Sequence, residues 1–98
     1  MEKRKSQRIK THQFANINGN LGVLNDISLR GVQVSTSSLP RWRQIEISFE
    51  ADGKLISLSG VIQWIQRKNA LNNLNRLGVS LQAPPVEYHR YVMDQVEV

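Results

Sequence analysis

Two short polar motifs lie near the start of the chain. Arg4 and Arg8 form an RxxxR pattern, and Asp26, Ser28 and Gly31 form a DxSxxG pattern eighteen residues after Arg8. An arginine guanidinium presents a planar fork of donors that matches phosphate oxygens or the O6/N7 edge of guanine. A carboxylate accepts hydrogen bonds from N–H groups on the opposite edge of the same base. The two motifs in this order therefore predict a site for a guanine nucleotide.

The composition limits the other kinds of chemistry. The 98 residues predict one domain, and the chain has no cysteine and only two histidines. Disulfides and thiolate metal sites are therefore excluded, and we expect neither a metal ion nor a cofactor. The sequence has no nucleophile paired with a base and no phosphate loop of the Walker type, so we do not expect an enzyme. Without a membrane-spanning run or a signal-peptide pattern, the expected location is the cytoplasm, with no membrane partner.

The positive charge is concentrated at the N-terminus. The net charge is +5, and residues 1–10 hold five basic residues and one acidic residue, which gives +4. Residues 11–98 hold eight basic and seven acidic residues, which gives the remaining +1. We therefore predict a flexible basic arm over residues 1–10 and a nearly neutral domain over residues 11–98, with an anionic partner bound at the arm.

The middle of the chain has the pattern of short β-strands. Residues 12–18 and 21–27 flank Asn18-Gly19-Asn20, which indicates a hairpin because Asn and Gly tolerate positive φ. Alternation along the second strand predicts one face pointing inward and the other, with Asp26 and Ser28, pointing outward. The predicted inward residues are Leu21, Val23 and Ile27. Gly31 is expected to permit a turn or the close approach of a ligand.

Further strands and a helix complete the predicted fold. Ile45–Phe49 alternates, Asp52-Gly53 indicates a second hairpin, and residues 54–67 form a long strand with Gly60 as a bulge. The predicted core face of that strand comprises Ile56, Leu58, Ile62 and Trp64. After a last strand around residues 77–81, Pro84-Pro85 precedes a helix from about Val86 that caps the barrel. Six short strands with tight turns predict a small antiparallel barrel, because closure removes exposed edges.

The two motifs resemble those of the PilZ domain family, whose marks are RxxxR and [D/N]xSxxG. Residues 60–64 (GVIQW) and 77–79 (LGV) are similar to segments in the late strands of the family. The resemblance covers essentially the whole chain. It implies a six-stranded antiparallel β-barrel that acts as a bacterial receptor for the second messenger cyclic di-GMP.

The resemblance also implies a role for each motif residue. Arg4 and Arg8 would hold guanine and phosphate, and Lys5, where many members have arginine, would add charge. Asp26 and Ser28 would hold the other face of the ligand, and Gly31 would leave room for it.

Three functions are compatible with the sequence. The first is a cyclic di-GMP receptor whose arm becomes ordered on binding and transmits the signal to an unidentified effector protein. The second is a PilZ-like protein–protein interaction module that does not bind the nucleotide. The third, a small nucleic-acid-binding barrel, ranks lowest because aromatic residues are few and the domain is nearly neutral.

Overall fold

The computed structural model describes residues 7–96 as a closed six-stranded barrel with one helix. The strands are β1 (Ile9–Ile17), β2 (Asn20–Ile27), β3 (Gly31–Thr36), β4 (Gln44–Ala51), β5 (Lys54–Gln66) and β6 (Asn75–Leu81), and the helix is α1 (Val86–Val96). Neighbouring strands are antiparallel in the order β1-β2-β3-β6-β5-β4. The predicted fold class, an all-β barrel with a C-terminal helix, is confirmed.

Both predicted hairpins are present, and both turn through two residues with positive φ. Asn18 and Gly19 have φ angles of 52° and 88°, and Asp52 and Gly53 have 52° and 77°. This left-handed geometry matches the twist of the flanking strands and suits Asn-Gly and Asp-Gly pairs. The turn residues therefore determine which strands pair consecutively.

The first strand begins earlier than predicted. β1 starts at Ile9, so Ile9 and Lys10 belong to the barrel and not to the arm predicted over residues 1–10. A bulge between Lys10 and Gln13, where His12 has a φ of 50°, lets this added segment continue the pairing with β2. Residues 7 and 8 precede the strand without regular secondary structure, and residues 1–6 of the predicted arm lie outside the described residues.

The inward face of β2 differs from the predicted alternation. Leu24 is fully buried, whereas Leu21, predicted to point inward, is 70% exposed. The pairing of β2 with β3 shifts by one residue between Leu24 and Asp26. Because this bulge changes the alternation, Leu24 and Ile27 both point into the barrel although their numbers differ by three.

A third bulge, in β5, moves Trp64 out of the core. Ile56, Leu58 and Ile62 are buried as predicted, but Trp64 is 43% exposed. The β5–β6 pairing shifts between Ile62 and Trp64, which reverses the alternation after Ile62. Gly60 pairs regularly on both sides and is not the bulge.

The core fills the barrel and extends to the helix, as the predicted cap requires. Tyr88 and Val92 of α1 are buried, and the Tyr88 ring meets Phe49 edge-on at a centroid distance of 6.4 Å. The strands contribute Ala15, Ile17, Leu24, Ile27, Val32, Val34, Ile45, Ile47, Phe49, Ala51, Ile56, Leu58, Ile62, Leu77 and Val79. Within residues 7–96, no helix is long and apolar enough to cross a bilayer.

Because of the bulge in β2, we expect the truncation of two leucines to affect stability differently. We expect Leu24→Ala to lower the free energy of unfolding by about 2–5 kcal/mol, because it empties space in a closed core. The matched variant Leu21→Ala should change it by less than about 0.5 kcal/mol, because this side chain is on the surface. Urea denaturation measures both, and a larger effect for Leu21→Ala would contradict the observed register.

Candidate functional site

The pairing of β1 with β2 brings the two motifs together. Ile9 lies opposite Ile27, and Lys10 lies opposite Asp26. Arg8, the residue before Ile9, is therefore next to the DxSxxG segment. Nη1 of Arg8 donates to Oδ1 of Asp26 at 2.6 Å. The Asp26 side chain is only 13% exposed, whereas that of Arg8 is 47% exposed. The carboxylate therefore orients a guanidinium that remains accessible to a ligand.

Ser28 closes the turn between β2 and β3. Its hydroxyl accepts a hydrogen bond from the Gly31 N–H at 3.1 Å and donates to the Gly31 carbonyl at 3.0 Å. The Ser28 N–H donates to the same carbonyl at 2.9 Å. Ser28, predicted to point outward, is instead only 2% exposed, and it shapes the turn that follows Asp26. Its predicted contact with a ligand stays a prediction.

Gly31 is required by the close approach of a neighbouring strand. A Cβ at this position would lie 2.6 Å from the Val79 carbonyl oxygen, well inside van der Waals contact. The same Cβ would be 3.9 Å from Nη2 of Arg8, so the guanidinium lies over this glycine. A side chain here would push β3 from β6 and crowd Arg8.

A shallow groove, here called the motif groove, joins Arg8 and the turn to β5 and β6. Its volume is about 190 Å³, and it is lined by Arg8, Ser28, Arg30, Gly31, Gln63, Trp64, Gly78, Val79 and Ser80. Among residues 7–96, this lining includes two arginines and an indole but no carboxylate. Such a surface suits an anion that carries a flat ring, because arginine binds phosphate and indole stacks on bases.

The sequence predicts that Trp64 belongs to the core, whereas the structure places it in the lining of the motif groove. Its indole covers Gly78, and a Cβ on Gly78 would occupy the space of that ring. In β6, Gly78 lies between the buried residues Leu77 and Val79. A glycine inside a strand often marks the close approach of another group, so its position in the sequence is a signal for the contact with Trp64. Arg30 is exposed and also borders the groove.

The helix is attached to the same turn by one buried hydrogen bond. The Tyr88 hydroxyl donates to the Ser28 carbonyl at 2.5 Å, and the Tyr88 side chain is fully buried. Burial raises the pKa of Tyr88 strongly, while the hydrogen bond to Ser28 and the nearby Arg8 act in the opposite direction. This hydrogen bond links the turn directly to α1.

Two predicted site residues cannot be compared with the structure. Arg4 and Lys5 are outside the described residues, so their contribution to ligand binding stays a prediction. Arg76 is half-buried in β6, and its Nε is buried with no hydrogen-bond partner among residues 7–96. Over residues 7–96, no group of three or more histidine or acidic side chains forms a candidate metal site.

Comparisons with known proteins relate the chain to one solved fold. No protein-family model matches it, and no curated protein matches it. A solved structure of the Bacillus subtilis inhibitor of motility (MotI/DgrA) aligns with a TM-score of 0.75 at 10% identity. The alignment covers 98% of this chain and 50% of the other, so the chain spans half of that protein's length. The similarity supports a PilZ-like fold.

The hydrogen bond between Tyr88 and Ser28 predicts a stability difference. Tyr88→Phe should lower the free energy of unfolding by about 1–3 kcal/mol, because the buried Ser28 carbonyl loses a partner. The matched variant Tyr91→Phe should change it by less than about 0.5 kcal/mol, since that hydroxyl is part-buried and its bond to Gln13 is 3.4 Å long. If urea denaturation shows the same loss of unfolding free energy for both variants, the hydrogen bond of Tyr88 does not stabilise the protein more than that of Tyr91.

The raised pKa of Tyr88 predicts a loss of stability at high pH. Above about pH 10, the tyrosine of the unfolded chain loses its proton while buried Tyr88 keeps its own. The unfolded state then binds fewer protons, so stability falls as the pH rises. Denaturation between neutral and strongly alkaline pH should show a smaller decline for Tyr88→Phe than for the wild type. An identical decline in both proteins would contradict this assignment.

Proposed function

We propose that the protein is a cyclic di-GMP receptor that transmits the signal to a partner protein through ordering of its N-terminal arm. The observation that carries the proposal is the Arg8–Asp26 ion pair beside a groove bordered by Trp64. It joins the two motifs that resemble those of PilZ domains. The similarity to a solved inhibitor of motility supports a binding module of this fold.

The chemistry of the groove suits the parts of this ligand. Cyclic di-GMP has two phosphates and two guanines, so it requires cations together with flat apolar contacts. Arg8 and Arg30 supply guanidinium groups for phosphate oxygens or the O6/N7 edge of guanine. Trp64 offers an indole for stacking. Asp26 does not line the groove but is paired with Arg8, and its second carboxylate oxygen would accept from guanine N–H groups. Each function of the ligand therefore has a matching side chain.

The size of the groove explains why the arm is part of the proposal. Pockets that enclose a drug-sized ligand usually have about 300–1,000 Å³, and the motif groove has about 190 Å³. The groove is therefore too small to enclose the whole dinucleotide. Arg4 and Lys5, a few residues before Arg8, are suited to cover the rest of the ligand. Ordering of the arm would offset part of the contact free energy and change the surface offered to a partner.

Removal of Arg8 tests this proposal. Arg8→Ala should weaken cyclic di-GMP binding by about tenfold to a hundredfold, because a charge-assisted hydrogen bond contributes about 1.5–3 kcal/mol. Its thermal midpoint should change little, since exposed ion pairs contribute at most about 1 kcal/mol. Arg90→Ala, which removes an exposed arginine from α1, is the matched control and should bind as the wild type does. Titration calorimetry gives the affinity and the stoichiometry.

Two results would contradict the proposal. Wild-type affinity in Arg8→Ala would show that the ion pair does not hold the ligand. Absence of binding by the wild-type protein in equilibrium dialysis would favour the interaction module that binds no nucleotide.

A further inference from the structure

A second and larger groove adjoins the motif groove and shares Trp64 and Gln63 with it. This tryptophan groove has a volume of about 390 Å³ and is bordered by Arg41, Trp42, Arg43, Gln63, Trp64 and Ile65. It lies between the loop that joins β3 to β4 and the last residues of β5. Trp42 lines the tryptophan groove but not the motif groove, so the proposed nucleotide site gives it no role.

Trp42 is displayed on a loop that is fixed to the barrel. Its side chain is 73% exposed, which is unusual for a large aromatic residue on a surface without a partner. The next residue, Arg43, accepts at its carbonyl from the Ile62 N–H at 2.7 Å. Nη2 of Arg43 donates to the Ile62 carbonyl at 3.3 Å. The loop therefore presents Trp42 and Arg41 from a preorganised position.

The charge around this groove has one sign. Arg41 and Arg43 border it, and its lining in the described part of the chain contains no carboxylate. Arg67 and Lys68 follow β5 directly, and Nζ of Lys68 donates to the Ser37 carbonyl at 3.4 Å in the same loop. Four basic side chains thus lie on or beside the surface that exposes Trp42. An occupant must supply the negative charge.

We propose that the tryptophan groove is a docking site for an acidic, amphipathic segment of a partner protein. Tryptophan and arginine dominate the binding energy of protein interfaces, and complementary charge selects the partner. An exposed aliphatic side chain lines the groove together with the aromatic ones, because Ile65 is 43% exposed there. This aliphatic group favours the apolar residues of a polypeptide over nucleobases, which require stacking surfaces.

Trp64 makes this docking site sensitive to the motif groove. The same indole covers Gly78 and borders both grooves. A ligand that stacks on it changes the surface available to the docked segment, and the coupling must be reciprocal. This coupling rests on the proposed nucleotide function, whereas the docking itself does not.

A synthetic peptide tests the docking site directly. The probe is a fluorescein-labelled peptide of about twelve residues, long enough to span several side-chain pockets as an extended strand, in which Asp and Glu alternate with Leu and Phe. Fluorescence anisotropy should show wild-type binding that weakens as salt is added. Trp42→Ala should weaken binding by about tenfold or more, as loss of a central anchor does. Arg41→Glu should have a similar effect through charge repulsion.

Two variants serve as matched controls. Phe14 is 72% exposed on β1, so Phe14→Ala removes an equally exposed aromatic side chain from another strand. Arg90→Glu reverses an exposed charge on α1. Both should bind the peptide as the wild type does, and a peptide with Lys in place of every acidic residue should not bind. Absence of binding by the wild type, or equal binding by Trp42→Ala, would overturn the proposal.

Other occupants give distinct results. An oligothymidylate of about fifteen nucleotides that binds through Trp42 and displaces the peptide would make this a nucleic-acid surface instead. A dimer in sedimentation that Trp42→Ala dissociates would identify a second copy of the chain as the occupant. Either result would overturn the proposed partner class.

Cyclic di-GMP calorimetry on Trp42→Ala separates the two proposals. Trp42 does not border the motif groove, so nucleotide affinity should stay at the wild-type value. Nucleotide binding without peptide binding would refute the docking site alone. Peptide binding without nucleotide binding would refute only the proposed receptor function.

Discussion

The register of β1 against β2 is the constraint on which the site depends. Arg8 reaches Asp26 because Ile9 pairs with Ile27, and a bulge further along β1 preserves that pairing. A slip of one residue would turn every side chain of the strand to the other face. The guanidinium would then leave the groove, and Asp26 would lose its partner. The buried side chains Ile27 and Leu24 hold the register, so core packing and site geometry are inseparable here.

The residues of the DxSxxG segment have different structural roles. Asp26 orients Arg8, whereas Ser28 and Gly31 build the turn and permit β3 to approach β6 closely. The Ser28 carbonyl also accepts the Tyr88 hydroxyl, which attaches the helix to the turn. The turn that follows Asp26 and the helix α1 are therefore joined through one backbone carbonyl.

The sequence predicted the strands and turns well and the faces of two strands poorly. Asn18-Gly19 and Asp52-Gly53 carry local turn chemistry, so both hairpins followed from residue type alone. A bulge has no such local signal, because the extra residue is selected by pairing with a distant strand. Leu21 and Trp64 were therefore assigned to the core, and the continuation of β1 through Ile9 was missed. The motif residues were predicted from their chemistry, and the fold brings Arg8 and Asp26 into contact. The role of Trp64 depends on its contact with Gly78, which only the folded chain reveals.

The two tryptophans provide the most direct test of the receptor account. In an amide spectrum of labelled protein, each indole N–H gives its own signal, assigned through Trp42→Phe and Trp64→Phe. Saturating cyclic di-GMP should shift the Trp64 indole signal together with the amides of Asp26 to Gly31, and should shift Trp42 less. Unchanged signals from Trp64 and from this turn at saturation would contradict the account.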